Sequence, residues 1–290
     1  MELSGCGTAL VTPFLEDGGL DEPALIRLVN WQIESGINFL IPCGTTGEAS
    51  TLSEAEWLRV VEVTVNTAAG RVPVLAGCTH NATSEAVSRA NKVAKVRGVT
   101  GILTANPYYN RPGQEGQYQH FRAIAEAVDL PVLLYNIPSR TGVNLEPATV
   151  LRLAEIENIV GIKESSGNIA QITELIMQAP RGFKVFSGDD GMTLPVIALA
   201  GAGLVSVASN AIPAQMVGAA LAGDWVAARA INGKYLALMK AHFSEPSPAP
   251  VKAVLALMGR IDEKLRLPMV PVTAATRQKL GRLVSELGLS

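Results

Sequence analysis

The sequence predicts an α/β fold: one (β/α)8 TIM barrel followed by a C-terminal helical extension. Three observations predict it. Eight apolar runs of strand length recur along the chain, helical patterns separate most of them, and the strand signal ends after Gly223. The runs are read as strands at residues 7–11, 38–43, 72–77, 101–104, 132–135, 159–163, 184–187 and 203–208. They are continuous rather than alternating, as parallel strands covered on both faces require. Helices are expected at 22–35, 54–69, 84–96, 115–127, 146–154 and 170–178. Asp21-Glu22-Pro23 supplies a cap and an early proline, Ser53-x-x-Glu56 reads as a capping box, and Thr83-Ser84-Glu85 opens a further helix. Eight strand–helix units suit a closed parallel barrel. An open doubly wound sheet is the alternative, but no Gly-x-Gly-x-x-Gly turn follows the first strand. Past Gly223, helices are expected at 225–241, 251–259 and 273–287, with 244–250 as a stiff proline-rich connector. The division is therefore a barrel at 1–223 and a helical extension at 224–290.

Composition narrows the function. Among 290 residues, 48% are hydrophobic and 17% charged, which fits a large packed core. The net charge of −2 gives no electrostatic case for nucleic acid, and no block of like charges suggests a membrane-surface helix. Small soluble ligands are the expected partners. Cys6, Cys43 and Cys78 contain no Cys-x-x-Cys pair, so they read as small buried hydrophobes rather than as disulfides or a zinc site. No positive region followed by an apolar stretch opens the chain, so no secretion signal is read and a cytoplasmic location is expected. The segment between Asp190 and Asp224 carries no charge, yet Pro195, Gly201, Gly203, Ser206, Ser209, Asn210, Pro213 and Gln215 interrupt it. A buried helix–strand–helix unit explains it better than a membrane span.

Parallel barrels place their sites at the C-terminal edges of the strands. Lys163 ends the apolar strand Ile159-Val-Gly-Ile-Lys. It could snorkel to solvent, but if it points inward its amine has mostly carbon behind it. Burial disfavours the ammonium form, and a neutral amine is the form that condenses with a carbonyl. Tyr135 ends the neighbouring strand and is either a core tyrosine or a proton-transfer group, with Thr45 as relay. Gly44-Thr45-Thr46-Gly47 exposes amides and hydroxyls that can hold a carboxylate. Arg140, after the fifth strand, is either a solvated loop residue or a clamp for a second carboxylate. Asp189-Asp190 reads as helix capping rather than a metal site. His80, His120 and His242 are far apart in sequence and lack ligand spacing, so metal-independent imine chemistry is preferred.

Several longer motifs carry a resemblance. Gly44-Thr-Thr-Gly-Glu48, Asn106-Pro-Tyr-Tyr-Asn-Arg-Pro112, Tyr135-Asn-Ile-Pro-Ser-Arg-Thr-Gly142 and Gly161-Ile-Lys-Glu164 resemble the dihydrodipicolinate synthase family. So do Ser187-Gly-Asp-Asp190 and Leu265-Arg-Leu-Pro-Met269. This family belongs to the pyruvate-dependent lyases and aldolases that include N-acetylneuraminate lyase, and the likeness covers nearly the whole chain. It implies condensation of pyruvate with L-aspartate 4-semialdehyde to 4-hydroxy-tetrahydrodipicolinate, in lysine and diaminopimelate synthesis. By the same resemblance Lys163 is the Schiff-base lysine and Tyr135 the proton-transfer residue. Thr45 and Tyr109 complete its relay, Tyr109 entering from the neighbouring subunit. Thr46 holds the pyruvate carboxylate, Gly188 and Val205 line the pyruvate pocket, and Arg140 receives the carboxylate of the aldehyde. Val205 stands where isoleucine is familiar. No metal or external cofactor is implied, the covalent imine taking that place, and homotetramers built as dimers of dimers are common. Asn81, Glu85, Tyr108, Ala49 and Ser50 match a lysine-feedback site, whereas Glu54 and Trp57 stand where lysine-sensitive members carry histidines. Two other possibilities remain open: a sibling lyase acting on a sugar acid or another 2-oxo acid, and a catalytically silent barrel with a binding role.

Overall fold

The computed structural model describes residues 3–212 and 214–289; Pro213 and the outermost limits of the two expected segments lie outside them. The strands are β1 (Gly5–Ala9), β2 (Phe39–Ile41), β3 (Leu75–Gly77), β4 (Gly101–Ala105), β5 (Val132–Asn136), β6 (Ile159–Glu164), β7 (Lys184–Ser187) and β8 (Gly203–Ser206). All pair in parallel, in the order β2-β1-β8-β7-β6-β5-β4-β3. A further bridge between Leu40 and Val74 joins β2 to β3 and closes the ring. The chain is a (β/α)8 barrel.

Between the strands run α1 (Glu22–Glu34), α2 (Glu54–Ala68), α3 (Thr83–Val93), α4 (Gln114–Glu126), α5 (Pro138–Thr141), α6 (Pro147–Leu153), α7 (Ile169–Gln178) and α8 (Thr193–Ala198), and α9 (Gln215–Leu221) follows β8. The extension holds α10 (Trp225–Ala241), α11 (Ala249–Leu257) and α12 (Ala274–Leu287). The start signals are present as bonds. Asp21 accepts from Ala24 N at 2.9 Å, and Ser53 and Glu56 cap each other at 3.3 and 2.9 Å. Pro138 sets the first turn of α5, a helix the periodicity does not reveal because it is only four residues long. The charge-free stretch folds as α8, β8 and α9, and no helix among the described residues is long and apolar enough to cross a membrane.

Several strands are shorter or shifted relative to the apolar runs, for local reasons. β2 stops at Ile41 because Pro42 lacks an N–H and Cys43 adopts a left-handed φ of 58°, turning the chain off the sheet. β1 begins two residues earlier than expected and ends at Ala9, since the Val11 amide is bonded to the Asn210 side chain at 3.1 Å. Apolar content marks burial; it does not mark where ladder bonds end.

Two apolar layers hold the barrel. Inside the ring Ala9, Phe39, Ile41, Leu75, Leu133, Phe186 and Val205 interlock, with Phe39 and Phe186 edge to face at 5.5 Å between centroids. Each of these phenylalanines contributes about 2 kcal/mol by burial. Gly7 makes the packing possible, because a Cβ there would stand 2.0 Å from the Phe39 ring. The second layer lies between strands and helices and continues into the extension through Leu238, Val254 and Leu280. Cys6, Cys43 and Cys78 are free and buried, and burial pushes their thiols up.

His242, just after α10, is fully buried and neither ring nitrogen has a partner among the described residues. Burial lowers its pKa from the usual 6.5 to about 4. The unfolded chain therefore takes up the proton first. The stability associated with neutral His242 is complete above about pH 6.5 and is lost as pH falls through 4. His120, also lowered to about 4, acts in the same direction, whereas the raised carboxyls of Glu164 and Asp190 act oppositely. Comparison with His242→Leu isolates the histidine. Urea unfolding should show the parent losing about 2 kcal/mol more than the variant between pH 7 and pH 5. Equal losses would contradict this assignment.

Candidate active site

Parallel pairing of β5 with β6 sets Tyr135 beside Lys163 and Asn136 beside Glu164. Because alternate residues face opposite sides, the first pair points into the barrel and the second toward the helices. Lys163 is 4% and Tyr135 5% exposed, and the lysine Nζ lies 4.1 Å from the tyrosine ring centroid. Lys163 forms no ion pair among the described residues. On the outer side Asn136 Nδ2 donates to both Glu164 oxygens, at 3.0 and 3.3 Å, while Gln171 and the Ser166 amide also donate to that carboxylate. Burial raises the Glu164 carboxyl despite these bonds. The two strands are thus pinned one residue beyond the inward pair.

Gly188 follows β7 and gives the lysine room. A Cβ there would lie 2.9 Å from both Cγ and Cε of Lys163, and 1.9 Å from Ser165 Oγ. The Ser165 hydroxyl is itself buried and unpartnered among the described residues. Val205 sits in the interior layer beneath rather than in the cleft wall, where Val207 stands instead.

An open-mouthed cleft of about 180 Å³ lies above this pair. Thr45 and Thr46 form one wall. Their turn is anchored where the Thr12 hydroxyl donates to Gly47 O at 2.7 Å. Thr46 is buried and Thr45 is exposed at the rim. Arg140, carried on α5, forms the opposite side and donates from Nη2 to Ser247 O at 3.1 Å. Ser247 and Phe243 come from the connector between α10 and α11, so the extension completes the cleft. Ser165 and Val207 lie at strand ends and were within reach of the strand-end rule. Phe243 and Ser247 carry no sequence signal, because only tertiary docking brings them here.

Other expected site residues lie elsewhere. Tyr109 is 88% exposed, with a left-handed φ of 72°, and does not line the cleft of its own chain. Asn81, Glu85, Tyr108, Ala49 and Ser50 are also off the cleft. The Asn81 loop is tied to the Tyr108 loop by Asn110 Nδ2 donating to Asn81 O at 2.9 Å. Glu54 forms a surface ion pair with Lys92, and Trp57 is core, its indole donating to Gly77 O at 2.9 Å. Of the two aspartates, Asp189 caps the next turn through Gly191 N at 2.8 Å. Asp190 departs from the expected helix cap: it is buried and accepts from the Ser206 hydroxyl and the Val207 and Ala208 amides. No group of three or more metal-ligating side chains occurs among the described residues.

A closed parallel barrel with its polar and reactive side chains gathered in one cleft at the strand ends defines a barrel enzyme. The dihydrodipicolinate synthetase family profile matches residues 2–287. The 4-hydroxy-tetrahydrodipicolinate synthase of Acidobacterium capsulatum is 62% identical, over 100% of this chain and 97% of that one. Among solved structures, dihydrodipicolinate synthase from Thermotoga maritima superposes with a TM-score of 0.97 at 40% identity, covering 100% of both chains. The chloride-inhibited dihydrodipicolinate synthase of Acinetobacter baumannii, complexed with pyruvate, gives a TM-score of 0.96 at 42% identity over 99% of each chain. The chain belongs to the dihydrodipicolinate synthetase family.

Proposed function

We propose that this chain is a lyase that condenses pyruvate with L-aspartate 4-semialdehyde to 4-hydroxy-tetrahydrodipicolinate, through an imine on Lys163. The observation that carries this is the enclosed Lys163–Tyr135 pair beneath a cleft walled by the Thr45-Thr46 turn and Arg140. The Lys163 amine adds to the pyruvate ketone, and the carbinolamine loses water to give a protonated imine. Tyr135 takes a methyl proton, with Thr45 as relay, leaving an enamine whose carbon attacks the aldehyde. Thr46 holds the pyruvate carboxylate. Arg140 receives the second carboxylate, and holding both reactants in one cleft supplies much of the rate gain. The amino group of the aldehyde substrate then displaces Lys163 from the imine carbon, closing the ring and freeing the enzyme. The imine is the electron sink, so no metal or external cofactor takes part.

Gly188 clears the path of the lysine, while Val205 packs the floor below it. Tyr109 joins the relay of a neighbouring subunit in a homotetramer built as a dimer of dimers; its exposure on the isolated chain supports this role. Asn81, Glu85, Tyr108, Ala49 and Ser50 match a lysine-feedback site, but Glu54, paired with Lys92, and the buried Trp57 stand where lysine-sensitive members carry histidines, which argues against feedback inhibition. Residues 1–223 constitute the catalytic barrel and 224–290 an extension that walls its cleft. The enzyme works in the cytoplasm.

Arg140 favours this reaction over that of a sugar-acid lyase, because it offers a second carboxylate a charged partner. Arg140→Ala should lower kcat/KM for the aldehyde by about 10- to 100-fold, as expected for a lost charge-assisted bond. Borohydride labelling with pyruvate should be unaffected. A coupled assay showing parental turnover would refute the assignment.

A further inference from the structure

The turn that offers its amides to the pyruvate carboxylate is bounded by two left-handed non-glycine residues, Cys43 at φ 58° and Glu48 at φ 51°. Such conformations persist only where the surroundings enforce them. At the Glu48 end the enforcing contact is a fully enclosed ion pair. Lys252, on α11, is 0% and Glu48 3% exposed, with Nζ and Oε1 2.5 Å apart. Lys252 also donates to Lys264 O at 2.7 Å, and the second Glu48 oxygen accepts from Arg266 N at 3.1 Å. The guanidinium of Arg266 is itself fixed by Glu56 and by Gly18 O.

α11 starts two residues after Ser247, whose carbonyl holds Arg140. One ion pair therefore connects the wall bearing Thr45 and Thr46 to the segment that fixes the opposite wall. An apolar pair of similar shape would stabilise the fold as well, since burying two charges costs about what their attraction returns. Fixed geometry is what the charged pair adds.

We infer that Glu48 and Lys252 are a positioning pair, locking the carboxylate-binding turn against α11 so that its amides are preorganised for pyruvate. Neither side chain touches substrate; each acts through the backbone of residues 44–47. This rests on the imine reaction proposed above.

The test measures Lys163 labelling by borohydride against pyruvate concentration, together with thermal melting, in the parent and in Lys252→Met, Glu48→Gln and the double variant. The double variant removes both charges, and so leaves no unpaired buried ion. It should melt close to the parent, yet need at least tenfold more pyruvate for half-maximal labelling, with the final extent unchanged. Lys252→Met, which strands the Glu48 charge, should melt lower; if it fails to fold, the double variant carries the result. A folded double variant with the parental pyruvate dependence overturns the positioning role while leaving the imine reaction intact. A parent that is not labelled at Lys163 overturns that reaction, and the positioning role with it.

Discussion

Lys163→Ala is expected to reduce condensation by at least ~10⁴-fold, the largest single loss in the protein. No other side chain in the cleft can replace the amine: a guanidinium is not a nucleophile, and the hydroxyls of Thr45, Thr46 and Ser165 are poor ones toward a ketone. Without the imine, the pyruvate methyl has no electron sink, and the barrier rises by roughly 1.4 kcal/mol for each tenfold lost. The fold should tolerate the change. Lys163 has no ion-pair partner among the described residues, so its removal strands no buried charge. The effect is measured as kcat in a coupled assay on protein whose melting temperature is within a few degrees of the parent. Substantial residual turnover in folded protein would exclude Lys163 as the nucleophile.

Tyr135→Phe should lower kcat by ~10²–10⁴-fold, the usual contribution of a positioned proton-transfer group. The ring is part of the interior layer and lies against the lysine amine, and phenylalanine preserves both contacts. Stability and the site of labelling should therefore be retained, while the steps that move protons slow down. Stopped-flow trapping separates them: labelling at Lys163 should reach completion more slowly, and turnover should fall further than labelling. A variant with parental kcat would leave Tyr135 as a core residue only.

Much of this architecture was legible in the sequence, for identifiable reasons. Apolar runs mark buried strands because both faces of each strand are covered, which is why all eight appear in their expected places. Their ends are less legible: Pro42 and Cys43 cut β2 short through backbone geometry, and Asn210 ends β1 through a side chain 199 residues away. Lys163 and Tyr135 stood out because a polar side chain at the end of an apolar strand in a parallel barrel has few places to go but the cleft. Register then makes them neighbours without further assumption. Glu48 and Lys252, by contrast, lie 204 residues apart, and nothing in either local segment announces their pairing. Phe243 and Ser247 are hidden in the same way. Tyr109, singled out by its motif, is exposed and does not line the cleft of its own chain.

The most direct test of the central claim is mass spectrometry after borohydride reduction with pyruvate. A single reduced pyruvate adduct should be found per chain, on the peptide containing Lys163, and should disappear in Lys163→Ala. An adduct on another lysine, or none on active protein, would contradict the account.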